Sequence, residues 1–177
     1  MNLPNKLTLA RIIAVPFFIA AFILGYYPAA LVLFCAASVT DFFDGKIARE
    51  RNLITNFGKI MDPLADKILV YSALCLFIEA DIIRAWMLIL ILAREFIVAG
   101  MRTVAASEGR VLAAGMSGKI KTVLQMFAVI VFLLALCLTK TQATVMLAGN
   151  VLFYASLVMT VYSGAEYVLK NRDVFSM

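Results

Sequence analysis

Six long runs of apolar residues dominate the chain, and short polar segments separate them. The runs extend approximately over Leu7–Tyr27, Ala29–Ala48, Ile60–Ile78, Ala85–Ala106, Ile120–Leu138 and Ala143–Leu169. A helix that crosses the hydrocarbon core of a bilayer needs about 20 mostly apolar residues, which is close to the length of each run. The pattern therefore predicts an all-α integral membrane protein with six transmembrane helices.

The first eleven residues differ from the runs because polar and apolar side chains are mixed there. Pro4 suits the first turn of a helix, where its missing N–H is not needed. We predict that Met1–Arg11 forms a short amphipathic segment at the membrane interface, ahead of the first span. Residues 1–177 then form a single membrane domain, since this length fits one domain.

The composition supports a membrane protein and excludes a separate soluble catalytic domain. Hydrophobic residues make up 64% of the chain and charged residues 15%, whereas soluble domains average about 45–50% and about 25%. Six spans leave too few residues for a second, soluble unit. The absence of histidine excludes imidazole as a general base and as a zinc ligand. The three cysteines lie far apart within apolar runs, so we expect buried, reduced thiols.

The net charge of +5 is carried mainly by the connections between the runs. This distribution is a membrane-topology signal, and it does not indicate nucleic acid as a partner. If the N-terminus is cytoplasmic, the connections on the opposite side contain only Arg84 and Lys140 among the Lys and Arg residues. Cytoplasmic connections of membrane proteins are enriched in these cations. We therefore predict that both termini are cytoplasmic.

Four aspartates stand at the predicted cytoplasmic ends of the second and third runs. Asp41 and Asp44 are three residues apart, and Asp62 and Asp66 are four apart, so each pair projects from one face of its helix. A short connection makes the two helices antiparallel neighbours, which lets the pairs face each other. Carboxylates without His or Cys form a hard-oxygen site suited to Mg²⁺ or Mn²⁺, and four negative charges suffice for two divalent ions.

An alternative interpretation treats the four aspartates as interfacial groups that cap helices or pair with nearby cations. The available cations are Lys46, Arg49, Arg51, Lys59 and Lys67. Small residues favour a ligand site instead, because they remove bulk beside the carboxylates. Each of them lies four positions from one of the aspartates: Gly45, Ala48 and Gly58.

Together these residues form the string Asp41-x2-Asp44-Gly45-x2-Ala48-Arg49-x8-Gly58-x3-Asp62-x3-Asp66. The string resembles the signature of the CDP-alcohol phosphotransferases, with all eight positions at the spacing of that family. The resemblance implies a dimeric six-helix membrane enzyme that displaces CMP from a CDP-linked lipid with the hydroxyl of an alcohol. A divalent-cation transporter would also use intramembrane carboxylates, but usually near the midplane between paired halves. A purely structural membrane protein would not explain the acids.

The resemblance implies roles for the matching positions. Asp41, Asp44 and Asp62 correspond to ligands of the metal, Mg²⁺ or Mn²⁺. Asp66 corresponds to the catalytic acid that borders the metal site and accepts the proton of the attacking hydroxyl. The residues expected at the CDP-lipid are Asn5, Thr8, Gly45, Arg49 and Gly58. Helix capping is an alternative role for the first two of these.

Cations near the fourth and fifth runs indicate an anionic acceptor alcohol. The phosphate of glycerol 3-phosphate would need two or three of them, whereas choline or ethanolamine would be repelled. The candidates for this phosphate are Lys59, Arg94, Arg102, Arg110 and Lys119. We favour Arg110, because the loop after Gly109 can bring it over the cavity. Topology alone would explain most of these cations, but Arg94 departs from that explanation because it lies within a run.

Three further segments resemble one bacterial branch of the family, the phosphatidylglycerophosphate synthases. They are Leu3-Pro4-Asn5-x-Leu7-Thr8-x2-Arg11, Gly58-Lys59-x2-Asp62-Pro63-Leu64-Ala65-Asp66-Lys67 and Ala93-Arg94-Glu95. This resemblance implies CDP-diacylglycerol as the donor, glycerol 3-phosphate as the acceptor, and a homodimer among the lipids of the bacterial cytoplasmic membrane. Inositol phosphate and phosphatidylglycerol remain open as alternative acceptors.

Overall fold

The structure is a computed structural model of the chain. It describes the backbone of residues 3–50, 56–113 and 115–175, and the side chains of residues 7–40, 61, 64–65, 67–113 and 115–174. Six α-helices make up most of these residues: α1 Leu3–Ile23, α2 Tyr27–Glu50, α3 Asn56–Glu79, α4 Ala85–Ser107, α5 Met116–Cys137 and α6 Gln142–Lys170. A short 3₁₀ helix, Arg172–Phe175, follows α6. The described residues contain no strand, and each helix coincides with one predicted run, so the all-α prediction is confirmed.

Glycines in the left-handed conformation end two of the helices. Gly25 (φ 77°) follows α1, and Gly109 (φ 74°) follows α4. After α4, the N–H of Gly109 donates to the carbonyl of Ala106 over 3.0 Å, and the N–H of Arg110 donates to the carbonyl of Ala105 over 2.9 Å. In this pattern a glycine with positive φ lets the chain satisfy the last carbonyls of a helix. The chain then turns away from α4, and Arg110 begins the connection to α5.

A series of aromatic rings connects five of the six helices through the core. Successive rings lie 5.9, 5.4 and 6.0 Å apart between centroids, in the order Phe22 of α1, Phe77 of α3, Phe132 of α5 and Phe153 of α6. The ring of Phe34 in α2 joins the series through Phe18 of α1, with 5.9 Å between the two centroids. Edge-to-face and tilted pairs of this kind each contribute about 0.5–1.5 kcal/mol beyond the area they bury. α4 lies outside the series and packs mainly against α6.

The helices agree with a membrane protein, although six spans stay a prediction. Among the described residues, α5 and α6 are long and apolar enough to cross a membrane. The shorter apolar helices are Leu7–Ile23 and Tyr27–Thr40. α4 is as long as α5, but its apolar stretch is interrupted by three charged side chains, Arg94, Glu95 and Arg102. These charges belong to the cavity described below.

The first residues of the chain belong to a long helix. α1 continues without a break from Leu3 to Ile23, so the predicted segment is continuous with the first apolar run, and its position at the membrane interface stays a prediction. Pro4 lies in the first turn of α1, where a missing N–H leaves no helical hydrogen bond unmade. The polar start and the apolar run can therefore share one helix.

The cysteines are less buried than predicted. All three are free, as expected, but Cys75 is exposed on α3, and Cys35 and Cys137 are only half-buried. Lipid tails are as apolar as a protein core, so a membrane environment does not drive an apolar residue to the inside of a helix bundle. Apolar sequence context therefore predicts burial less well here than in a soluble fold.

Candidate active site

A cavity of about 660 Å³ lies between α4, α5 and α6, beside the first half of α3. Its wall consists of the second half of α4, the first turns of α5 and the last turns of α6, which meet at one end of the bundle. Five cations line it, namely Lys67, Arg94, Arg102, Lys119 and Lys170, together with the carboxylates Glu95 and Glu166. The excess of positive charge makes the cavity suitable for an anionic ligand.

Glu95 contacts three cations that come from three helices. Its Oε1 accepts hydrogen bonds from Arg94 at 2.9 Å and from Lys121 at 2.7 Å, and its Oε2 lies 3.1 Å from the Nζ of Lys67. The Lys121 side chain is only 5% exposed, and the Arg94 and Glu95 side chains are 14% exposed. Because buried charges are costly unless paired, this network explains how α3, α4 and α5 can hold charged side chains between apolar helices.

Arg102 is held at another part of the wall by Tyr167 of α6. Its Nε donates to the Tyr167 hydroxyl at 3.1 Å, and its guanidinium carbon lies 5.4 Å from the centroid of the ring. Stacking and hydrogen bonding together restrict the plane of a guanidinium group. Nearby, Ser117 and Lys170 both donate to Glu166 at 2.5 Å. The cavity therefore has an ordered polar wall on α4, α5 and α6.

Comparison with known proteins shows the family to which the chain belongs. The family model of the CDP-alcohol phosphatidyltransferases matches residues 1–162. The chain belongs to this family. The resemblance predicted from the eight-position string is thereby confirmed.

This family member is similar over nearly its whole length to bacterial proteins named CDP-diacylglycerol–glycerol-3-phosphate 3-phosphatidyltransferase. The protein of that name from Bacillus subtilis is 42% identical, and the match covers 97% of this chain and 96% of the relative. The one from Rickettsia felis is 39% identical, with 98% and 97% covered. The one from Escherichia coli is 39% identical, with 97% and 95% covered.

The four aspartates of the family signature are divided between two helices that contact each other. Positions 41 and 44 belong to α2, and positions 62 and 66 belong to α3. The side chains of Asp41, Asp44, Asp62 and Asp66 lie outside the described residues. No group of three or more possible metal ligands occurs within the described part of the chain. The metal-ligand assignments therefore stay predictions.

The predicted CDP-lipid residues are described only in part. The side chains of Asn5 and Arg49 and the surroundings of Gly45 and Gly58 lie outside the described residues. Thr8 is fully buried in α1. Because α1 begins at Leu3, Thr8 lies inside the helix and is not its N-cap, so the alternative capping role does not fit it.

The residues predicted to bind the acceptor phosphate do not all line the cavity, as far as their side chains are described. Arg94, Arg102 and Lys119 line the cavity. Arg110 does not line it; the turn at Gly109 directs the chain toward the C-terminal 3₁₀ helix, where Arg110 pairs with Asp173. The hydrogen bond from this guanidinium lowers the pKa of the Asp173 carboxyl. Lys59 lies outside the described side chains. Three of the five predicted residues thus line the cavity, whereas Arg110, the residue preferred from the sequence, does not.

Five charged residues of the site were not among the predicted site residues. They are Lys67, Glu95, Lys121, Glu166 and Lys170. A signal for Lys67 and Glu95 was present, because both stand inside predicted apolar runs, and ionisable residues within a membrane span usually serve a function. The pairing of Glu95 with Lys67 and Lys121 depends on how three helices are rotated about their axes. The sequence alone does not give these rotations.

Proposed function

We propose that the protein transfers the phosphatidyl group of CDP-diacylglycerol to glycerol 3-phosphate, giving phosphatidylglycerophosphate and CMP. Relatives named for this transfer match nearly the whole chain at 39–42% identity. The observation that carries the proposal is the cation-lined cavity, to which Lys67 contributes from α3. Lys67 directly follows Asp66, the predicted proton acceptor. The predicted proton acceptor therefore stands next in the chain to a residue of the cavity wall.

Arg94, Arg102 and Lys119 bind the phosphate of glycerol 3-phosphate in this proposal. An arginine presents two parallel N–H donors to phosphate oxygens, whereas a lysine acts as a point charge. Five cations and two carboxylates line the cavity, so positive charge remains after the internal pairs are formed. An acceptor with a cationic head, such as choline, would be repelled.

The four aspartates fit a divalent metal because their donors are carboxylate oxygens, which Mg²⁺ and Mn²⁺ prefer. We propose that Asp41, Asp44, Asp62 and Asp66 hold two such ions. Bound ions would neutralise the charge that develops on the pyrophosphate as CMP leaves. Support comes from the donor chemistry and from the contact between α2 and α3.

Asp66 accepts the proton of the glycerol 3-phosphate hydroxyl in the proposed reaction. The chain contains no histidine, so a carboxylate is the natural general base. The hydroxyl oxygen bonds to the phosphorus that carries diacylglycerol, and the bond from this phosphorus to the bridging oxygen of the pyrophosphate breaks. CMP leaves with the electron pair of that bond.

We propose a homodimer that works at the cytoplasmic face of a bacterial membrane. The donor is a membrane lipid and the acceptor is a water-soluble anion, so the reaction requires a site at an interface. The cavity lies at the end of the bundle where α4 ends and α5 begins, which is the end with the cation-rich connections. This placement supports the predicted orientation.

An acceptor panel tests the reaction, with release of CMP from CDP-diacylglycerol by the purified protein in detergent as the readout. The panel contains glycerol 3-phosphate, inositol phosphate, phosphatidylglycerol, serine and glycerol. We expect release only when glycerol 3-phosphate and Mg²⁺ or Mn²⁺ are both present, and loss of release in Asp66→Asn. Preference for another acceptor would overturn the acceptor assignment. Release without a divalent ion would overturn the metal assignment.

Arg102 and Arg110 provide a matched pair of arginines for the phosphate site. Arg102 lines the cavity, whereas Arg110 pairs with Asp173 away from it. We expect Arg102→Ala to raise the KM for glycerol 3-phosphate by about tenfold, equivalent to about 1.4 kcal/mol. Arg110→Ala should raise it much less, and neither should change the KM for the donor. The reverse order would move the phosphate site to the connection between α4 and α5.

A further inference from the structure

Two glycines on different helices leave room for the side chain of Arg94. A Cβ atom at Gly164 of α6 would lie 2.9 Å from the Cγ of Arg94, and a Cβ atom at Gly118 of α5 would lie 3.0 Å from its Nη2. Non-bonded carbon atoms normally lie about 3.5–4.0 Å apart. Alanine at Gly164 would therefore displace the stem of Arg94, and alanine at Gly118 would press on its tip.

The guanidinium of Arg94 is also fixed from within its own helix. Its Nη1 donates to Glu95 at 2.9 Å, and Glu95 is in turn held by Lys67 and Lys121. The Nε of Arg94 is buried and donates to no acceptor among the described residues. A buried donor without an acceptor is costly, so the packing around Arg94 and its bond to Glu95 must hold this side chain in place at the wall of the cavity.

We propose that Gly118 and Gly164 are positioning residues that form a slot for Arg94 and so set where its guanidinium meets the phosphate of the acceptor. The proposal rests on the proposed function, which places this phosphate in the cavity. The glycines act through Arg94. Their effect should therefore appear in the binding of the acceptor and not in the binding of the donor.

Two other glycines serve as controls, because a side chain added at either of them would not contact Arg94. A Cβ atom at Gly149 of α6 would lie 2.6 Å from the Phe132 ring of α5, so Gly149 serves apolar packing between the same two helices. A Cβ atom at Gly100, on the same helix as Arg94, would meet no atom within 4 Å beyond its own helix backbone. Gly149→Ala is thus the control for a packing defect, and Gly100→Ala is the control for the substitution itself.

The experiment measures KM for glycerol 3-phosphate and for CDP-diacylglycerol in each alanine variant. Alanine is more favourable than glycine within a helix, so the substitutions do not weaken the helices themselves. We expect Gly164→Ala to raise the acceptor KM about tenfold. Gly118→Ala should raise it less, because the far end of a side chain can shift by a few tenths of an ångström more easily than its stem. The donor KM should not change. Gly149→Ala should lower thermal stability without an effect on the acceptor KM, and Gly100→Ala should change neither.

A double-mutant cycle with Arg94→Ala decides whether the glycines act through Arg94. In that background Gly164→Ala should add nothing to the acceptor KM, since the displaced stem is absent. Independent effects of the two substitutions, or an equal rise in Gly149→Ala, would overturn the slot. If Gly164→Ala does not fold, Gly118→Ala is tested in the same cycle.

The same measurements also show whether the slot or the proposed function is wrong. If Arg94→Ala itself leaves the acceptor KM unchanged, the phosphate site of the proposed function is wrong, and the slot falls with it. If Arg94→Ala raises the acceptor KM while both glycine variants leave it unchanged, the phosphate site stands and only the slot is wrong.

Discussion

Glu95 offsets the repulsion among three cations at the cavity wall. A single carboxylate serves Lys67, Arg94 and Lys121, all within 3.1 Å. Away from bulk water, three cations brought together without this carboxylate would repel one another strongly. Glu95 therefore has two effects: it stabilises the junction of α3, α4 and α5, and it orients Arg94.

The first effect predicts the result of Glu95→Gln, which keeps the size of the side chain and removes its charge. Removing one partner from a buried ionic network costs about 3 kcal/mol or more. We expect a clear loss of thermal stability in detergent. Asp81→Asn is the control, because the Asp81 side chain is 87% exposed and lies 3.6 Å from Arg84; exposed pairs contribute little. Equal losses in the two variants would contradict a central role of Glu95.

At the scale of the helices, the apolar runs predicted the number and position of all six elements. The third run was predicted from Ile60, but α3 begins at Asn56, because helical hydrogen bonding continues into polar turns that a hydrophobic pattern does not detect. The pattern also did not predict that α4 would pack mainly against α6. Partner choice depends on the shapes of side chains on each helix face, and in an apolar solvent those faces look alike in sequence.

Phe132 should be a main contributor to the packing of the helices. It is fully buried and contacts the rings of Phe77 and Phe153. Because lipid replaces water around the bundle, we expect Phe132→Ala to cost mainly the cavity it leaves. A residual cavity of about 100 Å³ corresponds to about 2 kcal/mol. Phe127→Ala on the same helix is the control, since Phe127 is 56% exposed. Thermal unfolding in detergent should show a loss for Phe132→Ala alone; similar losses would refute the aromatic series as a stabilising core.

For the whole molecule, the sequence predicted the family and the cation-rich end of the bundle, and it predicted three of the residues that line the cavity. It preferred Arg110, because nothing in a linear pattern shows that the turn at Gly109 leads to Asp173. It missed the network of Glu95 for the same reason: the network joins three helices. Local sequence patterns specify elements and signatures, whereas contacts between distant helices require the packed structure.

The orientation of the molecule in the membrane can be tested with single cysteines. Cys35, Cys75 and Cys137 are first replaced by alanine, and one cysteine is then introduced at Thr139, between α5 and α6, or at Arg172, after α6. An impermeant thiol reagent added to intact spheroplasts should label Thr139→Cys and not Arg172→Cys, because cations are retained on the cytoplasmic side. Lysed cells provide the control in which both are labelled. Labelling of Arg172→Cys in intact cells would reverse the predicted topology.

Lys67 links α3 to the helix that carries two of the proposed phosphate ligands. Its ammonium group belongs to the cavity, while the preceding position, 66, carries the aspartate proposed to accept the proton. The pair with Glu95 joins α3 to α4 over 3.1 Å, and α4 carries two of the proposed phosphate ligands, Arg94 and Arg102. The pair would thus help to set the distance between the proposed proton acceptor and the bound phosphate, and with it the length of acceptor alcohol that can react. Acceptance of a longer or shorter alcohol would then require a change in how α3 packs against α4.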